Sequence, residues 1–292
     1  MTTTVTSPQA SALHACRVWN LDASGIQPLR SHATAVFLVP QAKAVLRVSR
    51  PEHHDAIVRA VKITRWLSEN HLPVTVPFDV AQPAESRGYV VTLWRHYPQP
   101  DGPSPEPEYL GEILRVLHEL PAPPVPLPAY QPHASLRSTI EASSTLSQPD
   151  RDWLLARSDA LLAAFRELDS PLGNGLIHGD AYPGNILWDG QHVRLGDWDE
   201  AAIGPREADI ANTFQGVRFG RTTEQLRAFS RAYGYDLSEW PGLPILTSLR
   251  DLHTLGSFIR RADDGDAKAA RAFAHRLATL RQNDHNARWT AS

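Results

Sequence analysis

The 292-residue chain contains one cysteine and no long apolar run, and these two absences exclude several classes of protein. Cys16 has no second cysteine to pair with, so an internal disulfide and a cysteine metal site are both excluded. No apolar run approaches the roughly 20 residues that a membrane helix needs. Residues 1–15 lack the basic flank and apolar core of a signal peptide. We therefore expect a cytoplasmic protein with no membrane partner.

Surplus basic charge and glycine-rich loops are also missing. The formal net charge of −3 lacks the basic excess of nucleic-acid-binding proteins, so we predict no nucleic-acid partner. The sequence contains neither a Walker-type loop nor a Gly-x-Gly-x-x-Gly motif. The chain therefore has no glycine-rich phosphate loop of either kind.

Local hydrophobic patterns predict short strands first and helices later. Residues 1–16 are small and polar, and we expect them to be a loose end. Proline-rich stretches on both sides of residues 108–120 predict irregular connections around a helix. Strands are predicted over residues 33–39, 43–49, 73–77 and 88–94. Helices are predicted over residues 52–70, 108–120, 151–168, 243–261 and 267–280.

The most informative stretch is residues 176–199, where two apolar runs enclose a polar turn. His178, Asp180 and Asn185 lie in that turn, and Asp197 and Asp199 follow a second one. An Asp followed by an Asn and then by another Asp at these spacings suits metal-assisted phosphoryl transfer. One carboxylate orients the attacking hydroxyl. The amide oxygen and the second carboxylate hold Mg²⁺, which prefers hard oxygen ligands.

The pattern His178-Gly-Asp180-x-x-x-x-Asn185 with Asp197-Trp-Asp199 resembles the aminoglycoside phosphotransferase and choline kinase group, small-molecule relatives of the protein kinases. The resemblance implies an α+β, protein-kinase-like fold with two lobes. Residues 1–95 would form a small antiparallel β lobe with one helix that binds nucleotide. Residues 96–292 would form a larger, mostly helical lobe for catalysis and substrate binding. The implied activity is an ATP- and Mg²⁺-dependent transfer of phosphate to a hydroxyl of a small molecule.

The resemblance also implies roles for the central residues. Asp180 would be the catalytic residue that orients and deprotonates the acceptor hydroxyl. Asn185 and Asp197 would bind Mg²⁺. Asp199 has three open roles, because it could touch a second metal, bind the substrate or cap the following turn. Two residues would support the site structurally: His178, which braces the loop, and Asp209, which anchors it from a helix start.

The nucleotide is expected beside the N-terminal sheet. Arg47 stands where the family has its phosphate-binding Lys, and an Arg can hold a phosphate bidentately. The helix predicted over residues 52–70 offers no Glu at the position expected to pair with it, so the partner of Arg47 stays open. Ser31 and Thr34 are candidate phosphate donors, with an ordinary turn role as the alternative. Whether the nucleotide is ATP or GTP also stays open. The adenine is expected at the backbone of Leu93, Trp94 and Arg95.

The acceptor pocket is expected between Asp180 and the last helices. Residues 205–292 carry 13 Lys and Arg against 10 Asp and Glu, which disfavours a polycationic aminoglycoside. Neutral or zwitterionic alcohols, amino sugars and other antibiotics stay open as acceptors, and the chain is expected to be a monomer or a homodimer. Four polar residues are candidates to line the pocket: Arg218, Asp251, His253 and Arg260.

Two other functions stay open at this point. A kinase-like protein that binds nucleotide without turnover would explain Arg47 in the Lys position and the missing Glu. A metal-dependent phosphohydrolase would use four residues around two metals: His178, Asp180, Asp197 and Asp199.

Overall fold

A computed structural model describes residues 7–31 and 34–290 of the chain. These residues form nine strands: β1 Gln27–Ser31, β2 Ala35–Val39, β3 Ala44–Ser49, β4 Ala84–Ser86, β5 Tyr89–Arg95, β6 Asn174–Ile177, β7 Ile186–Asp189, β8 His192–Leu195 and β9 Ala202–Pro205. They also form ten α-helices: α1 Pro8–Val18, α2 His54–Glu69, α3 Pro107–Glu119, α4 Ala134–Ala142, α5 Gln148–Arg166, α6 Glu207–Gln215, α7 Thr223–Tyr233, α8 Leu243–His253, α9 Leu255–Asp263 and α10 Ala267–Arg281. None of the described helices is long and apolar enough to span a membrane.

The chain divides into two compact units. Unit 1 contains Met1–Pro105, Glu119–Pro128 and Gly184–Ala201. Unit 2 contains Glu106–His118, Ala129–Pro183 and Ala202–Ser292. The hairpin of β7 and β8 therefore belongs to unit 1, whereas β6 and β9 belong to unit 2. The predicted boundary between residues 95 and 96 stays a prediction.

Unit 1 is built on a five-stranded sheet with the order β1-β2-β3-β5-β4. All four pairings are antiparallel, and Arg47 in β3 lies between Val36 of β2 and Thr92 of β5. Alternate side chains of β2 and β3 are buried, including Phe37 and Leu46, as a half-covered sheet requires. This sheet confirms the predicted antiparallel β part of the fold.

Helix α1 covers residues that were expected to be a loose end, so that prediction was wrong. Ser7 caps the helix by accepting the amide hydrogen of Ala10, and a proline stands in its first turn. The buried residues of α1 are small, Ala12 and Ala15 among them, and they join the core of the sheet with Cys16. Small side chains produce a weak hydrophobic period, and so the helix was missed. Unit 1 consequently has two long helices, α1 and α2, rather than the one expected.

The strand predicted over residues 73–77 is also wrong. Only two isolated bridges form there: Val74 pairs in parallel with Leu195, and Pro77 pairs with Trp94. Prolines at both ends of this stretch lack the amide hydrogen that a strand ladder needs. The segment nevertheless links the hairpin to the rest of unit 1, since the amide of Thr75 donates to the carbonyl of Leu195.

Unit 2 is mostly helical, with the short antiparallel pair β6–β9 beside it. Every residue of α6 is buried, so the polar groups on this helix must find partners inside the protein. The helix predicted over residues 243–261 is split into α8 and α9 at Thr254. The Oγ1 of Thr254 donates to the carbonyl of Asp251, 2.8 Å away, at this interruption.

Candidate active site

In unit 2, Asp209 anchors the loop that follows β6. Asp209 is the third residue of α6, and its carboxylate accepts the amide hydrogens of His178 at 2.7 Å and Gly179 at 2.9 Å. A carboxylate in the first turn of a helix is also stabilised by the helix dipole. The amide of Asp180 then donates to Nδ1 of His178, 3.3 Å away. These contacts fix the backbone from which the Asp180 side chain extends.

A buried polar network supports Asp209 from α3 and α7. Nε2 of His118 lies 3.3 Å from Oδ2 of Asp209, and its Nδ1 lies 2.8 Å from the hydroxyl of Tyr233. His118, His178 and Asp209 are all buried, so this network satisfies polar groups that would otherwise destabilise the fold. The bracing role predicted for His178 is consistent with these contacts.

Arg250 is the residue near Asp180 that the sequence interpretation did not single out. Its Nη1 forms an ion pair with Oδ1 of Asp180, and its guanidinium lies 5.6 Å from the ring centre of Tyr182. His253, which was predicted to line the acceptor pocket, lies one turn further along α8. The pKa of His253 is lowered to about 4, chiefly by burial and secondly by the charge of Arg250, whereas the charge of Asp180 opposes this lowering. His253 is therefore neutral at pH 7.

In unit 1, the hairpin of β7 and β8 brings Asn185 and Asp197 to the same end. Ile186 pairs with Leu195, and the amide of Gly196 donates to the carbonyl of Asn185, 2.9 Å away. The next residue, Asp197, has a left-handed backbone with φ 66°, a conformation that Asp tolerates better than most residues. The two-residue turn at the other end of the hairpin requires Gly190, whose φ is 65°.

Arg47 bridges both aspartates that follow the hairpin. Its Nη2 donates to Oδ1 of Asp197 at 2.7 Å and to Oδ2 of Asp199 at 2.8 Å. Burial alone would lower the pKa of Arg47, but the two carboxylates outweigh it and raise this pKa above its ordinary value. Burial raises the pKa of Asp199, and the charge of Arg47 partly offsets this effect. The partner of Arg47, which the sequence left open, is this pair of carboxylates.

The donor atoms in unit 1 fit a hard divalent cation. Asp197 and Asp199 already share one positively charged group, and Asn185 adds an amide at the adjoining end of the hairpin. Carboxylate and amide oxygens are the ligands that Mg²⁺ prefers. No group of three His, Cys, Asp or Glu side chains converges as a metal site within the described ranges, so a carboxylate-rich cage is not present there.

Of the other predicted nucleotide contacts, Thr34 lies beside Ser49, with the two hydroxyl oxygens 3.4 Å apart. The side chain of Ser31 lies outside the described residues, as do residues 32 and 33. The adenine was expected at the backbone of Leu93, Trp94 and Arg95, which form the end of β5.

Two of those backbone amides are already bound within unit 1. The amide of Leu93 donates to Oε1 of Gln82 at 2.8 Å, and the amide of Arg95 donates to the carbonyl of Val76 at 2.9 Å. Adenine contacts through the remaining backbone groups stay a prediction.

The predicted pocket residues of unit 2 separate into two groups. Arg218 and Asp251 form a buried ion pair of 2.9 Å, and Arg218 also donates to the carbonyl of Asp284 in the C-terminal segment. Burial raises the pKa of Asp251, and Arg218 partly offsets this rise. These contacts are structural, and none of them supports the substrate role predicted for the pair. His253, by contrast, lies within electrostatic range of Asp180, and Arg260 also acts on His253.

Comparison with known proteins identifies a family and a fold. A family model described as "Phosphotransferase enzyme family" matches residues 25–246. A search of curated proteins finds no match. Among solved structures, the chain is similar to an amicoumacin kinase in complex with AMP-PNP, Ca²⁺ and Ami, with a TM-score of 0.76 and 14% identity over 99% of this chain and 98% of the other.

Two further solved structures are similar over most of the chain. One is a choline/ethanolamine kinase family protein from Mesorhizobium loti, with a TM-score of 0.64 and 21% identity over 94% of this chain and 93% of the other. The second is an aminoglycoside phosphotransferase from Streptomyces rimosus, with a TM-score of 0.65 and 21% identity over 84% and 98%. At these identities the similarity is one of fold, and it confirms the predicted kinase-like architecture.

Proposed function

The chain belongs to the phosphotransferase enzyme family, and we propose that it is a kinase that uses ATP and Mg²⁺ to phosphorylate a hydroxyl group of a small molecule. Complexes of similar folds with AMP-PNP and with ADP support the use of a nucleotide. An antibiotic, an amino sugar or a related alcohol would be the acceptor. Three statements remain predictions: the protein has no nucleic-acid or membrane partner, it is cytoplasmic, and it is a monomer or a homodimer.

The observation that carries this proposal is the convergence of Asp197 and Asp199 on a single cationic nitrogen of Arg47. The carboxylates lie 2.7 Å and 2.8 Å from it, at the end of the hairpin where Asn185 also lies. Such a set would hold Mg²⁺ through oxygen atoms. A cation held by Asp197, Asp199 and Asn185 would supply positive charge to stabilise the phosphates during transfer.

Arg47 has donors left for a phosphate. In the part of the chain that the structure describes, its Nη2 makes both hydrogen bonds, and neither Nε nor Nη1 donates to the protein. A guanidinium can therefore contact a phosphate on one edge while it holds the two aspartates on the other. This arrangement replaces the Lys–Glu pair that the family resemblance led us to expect.

Asp180 would act on the acceptor. Its backbone is fixed by the loop contacts to Asp209 and His178, so the carboxylate can orient a hydroxyl without a large loss of conformational entropy. The transition state of phosphoryl transfer is loose, so position contributes more to the rate than basicity. Asp180 would accept the hydroxyl proton as the oxygen bonds to phosphorus and the bond to the leaving ADP breaks.

A nucleotide-binding protein without turnover is the second candidate, because Arg47 is bound to the aspartates that would hold the metal. The phosphohydrolase has less support. It needs His178 as a metal ligand, but this residue is fully buried and its Nδ1 accepts the amide hydrogen of Asp180.

The test is a coupled assay of ADP release with Mg²⁺-ATP, and separately with Mg²⁺-GTP. It would use a panel of hydroxylated antibiotics, amino sugars and small alcohols. We expect acceptor-dependent ADP release that falls about 10²- to 10⁴-fold in Asp180→Asn. The matched control is Asp264→Asn, which removes an exposed carboxylate in the turn after α9 and should keep full activity.

The outcomes separate the candidates. Nucleotide binding by calorimetry without ADP release for any acceptor would favour the binding protein. Phosphate release from phosphate esters without a nucleotide would favour the hydrolase. Equal activity of wild type and Asp180→Asn would contradict the role given to Asp180.

A further inference from the structure

The guanidinium of Arg250 lies beside the carboxylate to which the proposed function assigns the acceptor hydroxyl. The ion pair joins Nη1 of Arg250 to Oδ1 of Asp180, and both side chains are mostly buried, with 13% and 24% of their surface exposed. A partly buried guanidinium loses hydration and gains from a well-placed anion. Any molecule whose hydroxyl reaches Asp180 must therefore also meet Arg250.

Arg250 keeps hydrogen-bond donors that the protein does not use. Arginine has five N–H groups in a planar fork. Only Nη1 is bound to Asp180, and Nε and Nη2 donate to no acceptor among residues 7–31 and 34–290. Tyr182 packs against the guanidinium and restricts its orientation. A fork that is held on one side and has unused donors suits a carboxylate, which can accept two parallel hydrogen bonds.

The charged and titratable groups that act on His253, one turn along α8 from Arg250, are Arg250, Asp180, His133 and Arg260. His253 is neutral at pH 7, because burial lowers its pKa to about 4. His133 uses both ring nitrogens inside the protein, with Ser158 and with the carbonyl of Leu249. Arg260 keeps its charge, and its Nη1 donates to the neutral hydroxyl of Thr139. Asp180 and Arg250 have opposite charges, and Arg260 adds a positive charge that also acts on His253.

Two other carboxylates of unit 2 already have hydrogen-bond partners. Asp209 accepts the amide hydrogens of the loop, and Asp251 accepts hydrogen bonds from Arg218 and Gln215. A cationic acceptor would have to displace Arg250 from Asp180 and would meet the positive charge of its guanidinium. The arrangement therefore selects against ammonium groups as well as in favour of anions.

We propose that the acceptor is a hydroxy acid, whose hydroxyl is phosphorylated at Asp180 while its carboxylate binds Arg250. Because the two side chains are in contact, the hydroxyl and the carboxylate of the acceptor lie only a few bonds apart. The inference rests on the proposed kinase function, which requires a hydroxyl on the acceptor. The carboxylate of the acceptor is inferred from Arg250. Arg250 is then a residue that determines specificity.

The experiment compares acceptors that differ only in charge. A set of short-chain hydroxy acids would be assayed beside the corresponding amides and amines, with Mg²⁺-ATP and ADP release as the readout. In parallel, calorimetry would measure binding of the analogous acids that lack the hydroxyl, which needs no turnover. We expect the acids to bind and react about 10- to 100-fold better than their amides, and the amines to be the poorest.

Two variants test the assignment to Arg250. Arg250→Gln should remove the preference of acid over amide, and Arg250→Lys should keep part of it, because a Lys retains the charge but not the fork. The matched control is Arg231→Gln on the exposed face of α7, which should keep the wild-type preference. A purely structural role for Arg250 would lower activity on acid and amide by the same factor, which would overturn the proposal.

The results distinguish this proposal from the kinase function. Binding of acids through Arg250 without ADP release would support the anion site and contradict the kinase. Turnover with equal or better use of amides or amines would support the kinase and overturn the anion site.

Discussion

Arg47 in unit 1 and Arg250 in unit 2 both bind aspartates with predicted functions, but the two clusters differ in net charge. Arg47 holds Asp197 and Asp199 together, so its cluster carries one surplus negative charge. Arg250 pairs with one aspartate, Asp180, so this pair carries no net charge. The first cluster suits a divalent cation, whereas the unused donors of Arg250 suit an anionic group. One type of ion pair thus leaves the two units suited to different ligands.

The largest expected effect concerns a third pair, Arg218 with Asp251, which has structural contacts only. Both side chains are almost fully buried, with 5% and 8% exposed, against 41% for Asp197. Arg218→Met leaves a buried carboxylate without its partner, so we expect the free energy of unfolding to fall by about 3–5 kcal/mol. Urea unfolding would measure this. Arg231→Met, on an exposed helix face, should change stability by less than about 0.5 kcal/mol.

A loss for Arg218→Met no larger than that of the control would contradict the distinction drawn between this almost fully buried structural pair and the less buried functional ones. A normal stability together with a loss of acceptor binding would return Arg218 to the substrate pocket, where the sequence had placed it.

The second effect concerns pH and the surroundings of Asp180. His253 has a pKa of about 4 in the folded protein, below its unfolded value of about 6.5, because burial disfavours its charged form. The unfolded state therefore binds more protons between these values, and stability falls as the pH falls from about 6.5 to 4. The groups that face His253 are Arg250, Asp180, His133 and Arg260.

His253→Gln removes this titration, and its effect is measured against wild type in urea unfolding at several pH values. The stability advantage of wild type over the variant should shrink by up to about 3 kcal/mol between pH 7 and pH 4. His275→Gln, at an exposed position of α10, is the matched control for replacing a histidine by a glutamine. A constant difference for His253→Gln would show that this side chain is not desolvated as described.

The sequence predicted the parts of the fold that have strong local patterns. The motif from His178 to Asp199 indicated the kinase-like fold, and β2, β3 and α2 lie within two residues of their predicted bounds. It missed α1, whose buried side chains are small, and the interruption at Thr254, where a side chain is hydrogen-bonded to the backbone. The periodicity of hydrophobic residues in the sequence does not predict either feature.

The site shows the same division between local and long-range information. The loop around Asp180 could be predicted because its residues are consecutive. The partner of Arg47 could not, since Asp197 lies 150 residues away in the sequence. A signal for Arg250 was present in the helical period. Leu246, Leu249, Arg250 and His253 share one face of α8, so a cation on that mostly apolar face required a partner.

The smallest effect tests the negative surplus in unit 1. In Arg47→Met, Asp197 and Asp199 lose the guanidinium they share. They should then bind Mg²⁺ more tightly, because Mg²⁺ no longer competes with the guanidinium for the two carboxylates. We expect Mg²⁺ to stabilise the variant by roughly 1 kcal/mol more than wild type, equivalent to about fivefold tighter binding. Thermal unfolding with increasing Mg²⁺ would measure this.

Arg194→Met removes an arginine paired with Asp189 in the same hairpin and should respond like wild type. Equal Mg²⁺ effects in all three proteins would place the cation site elsewhere, and the contrast between the two arginine clusters would then not hold.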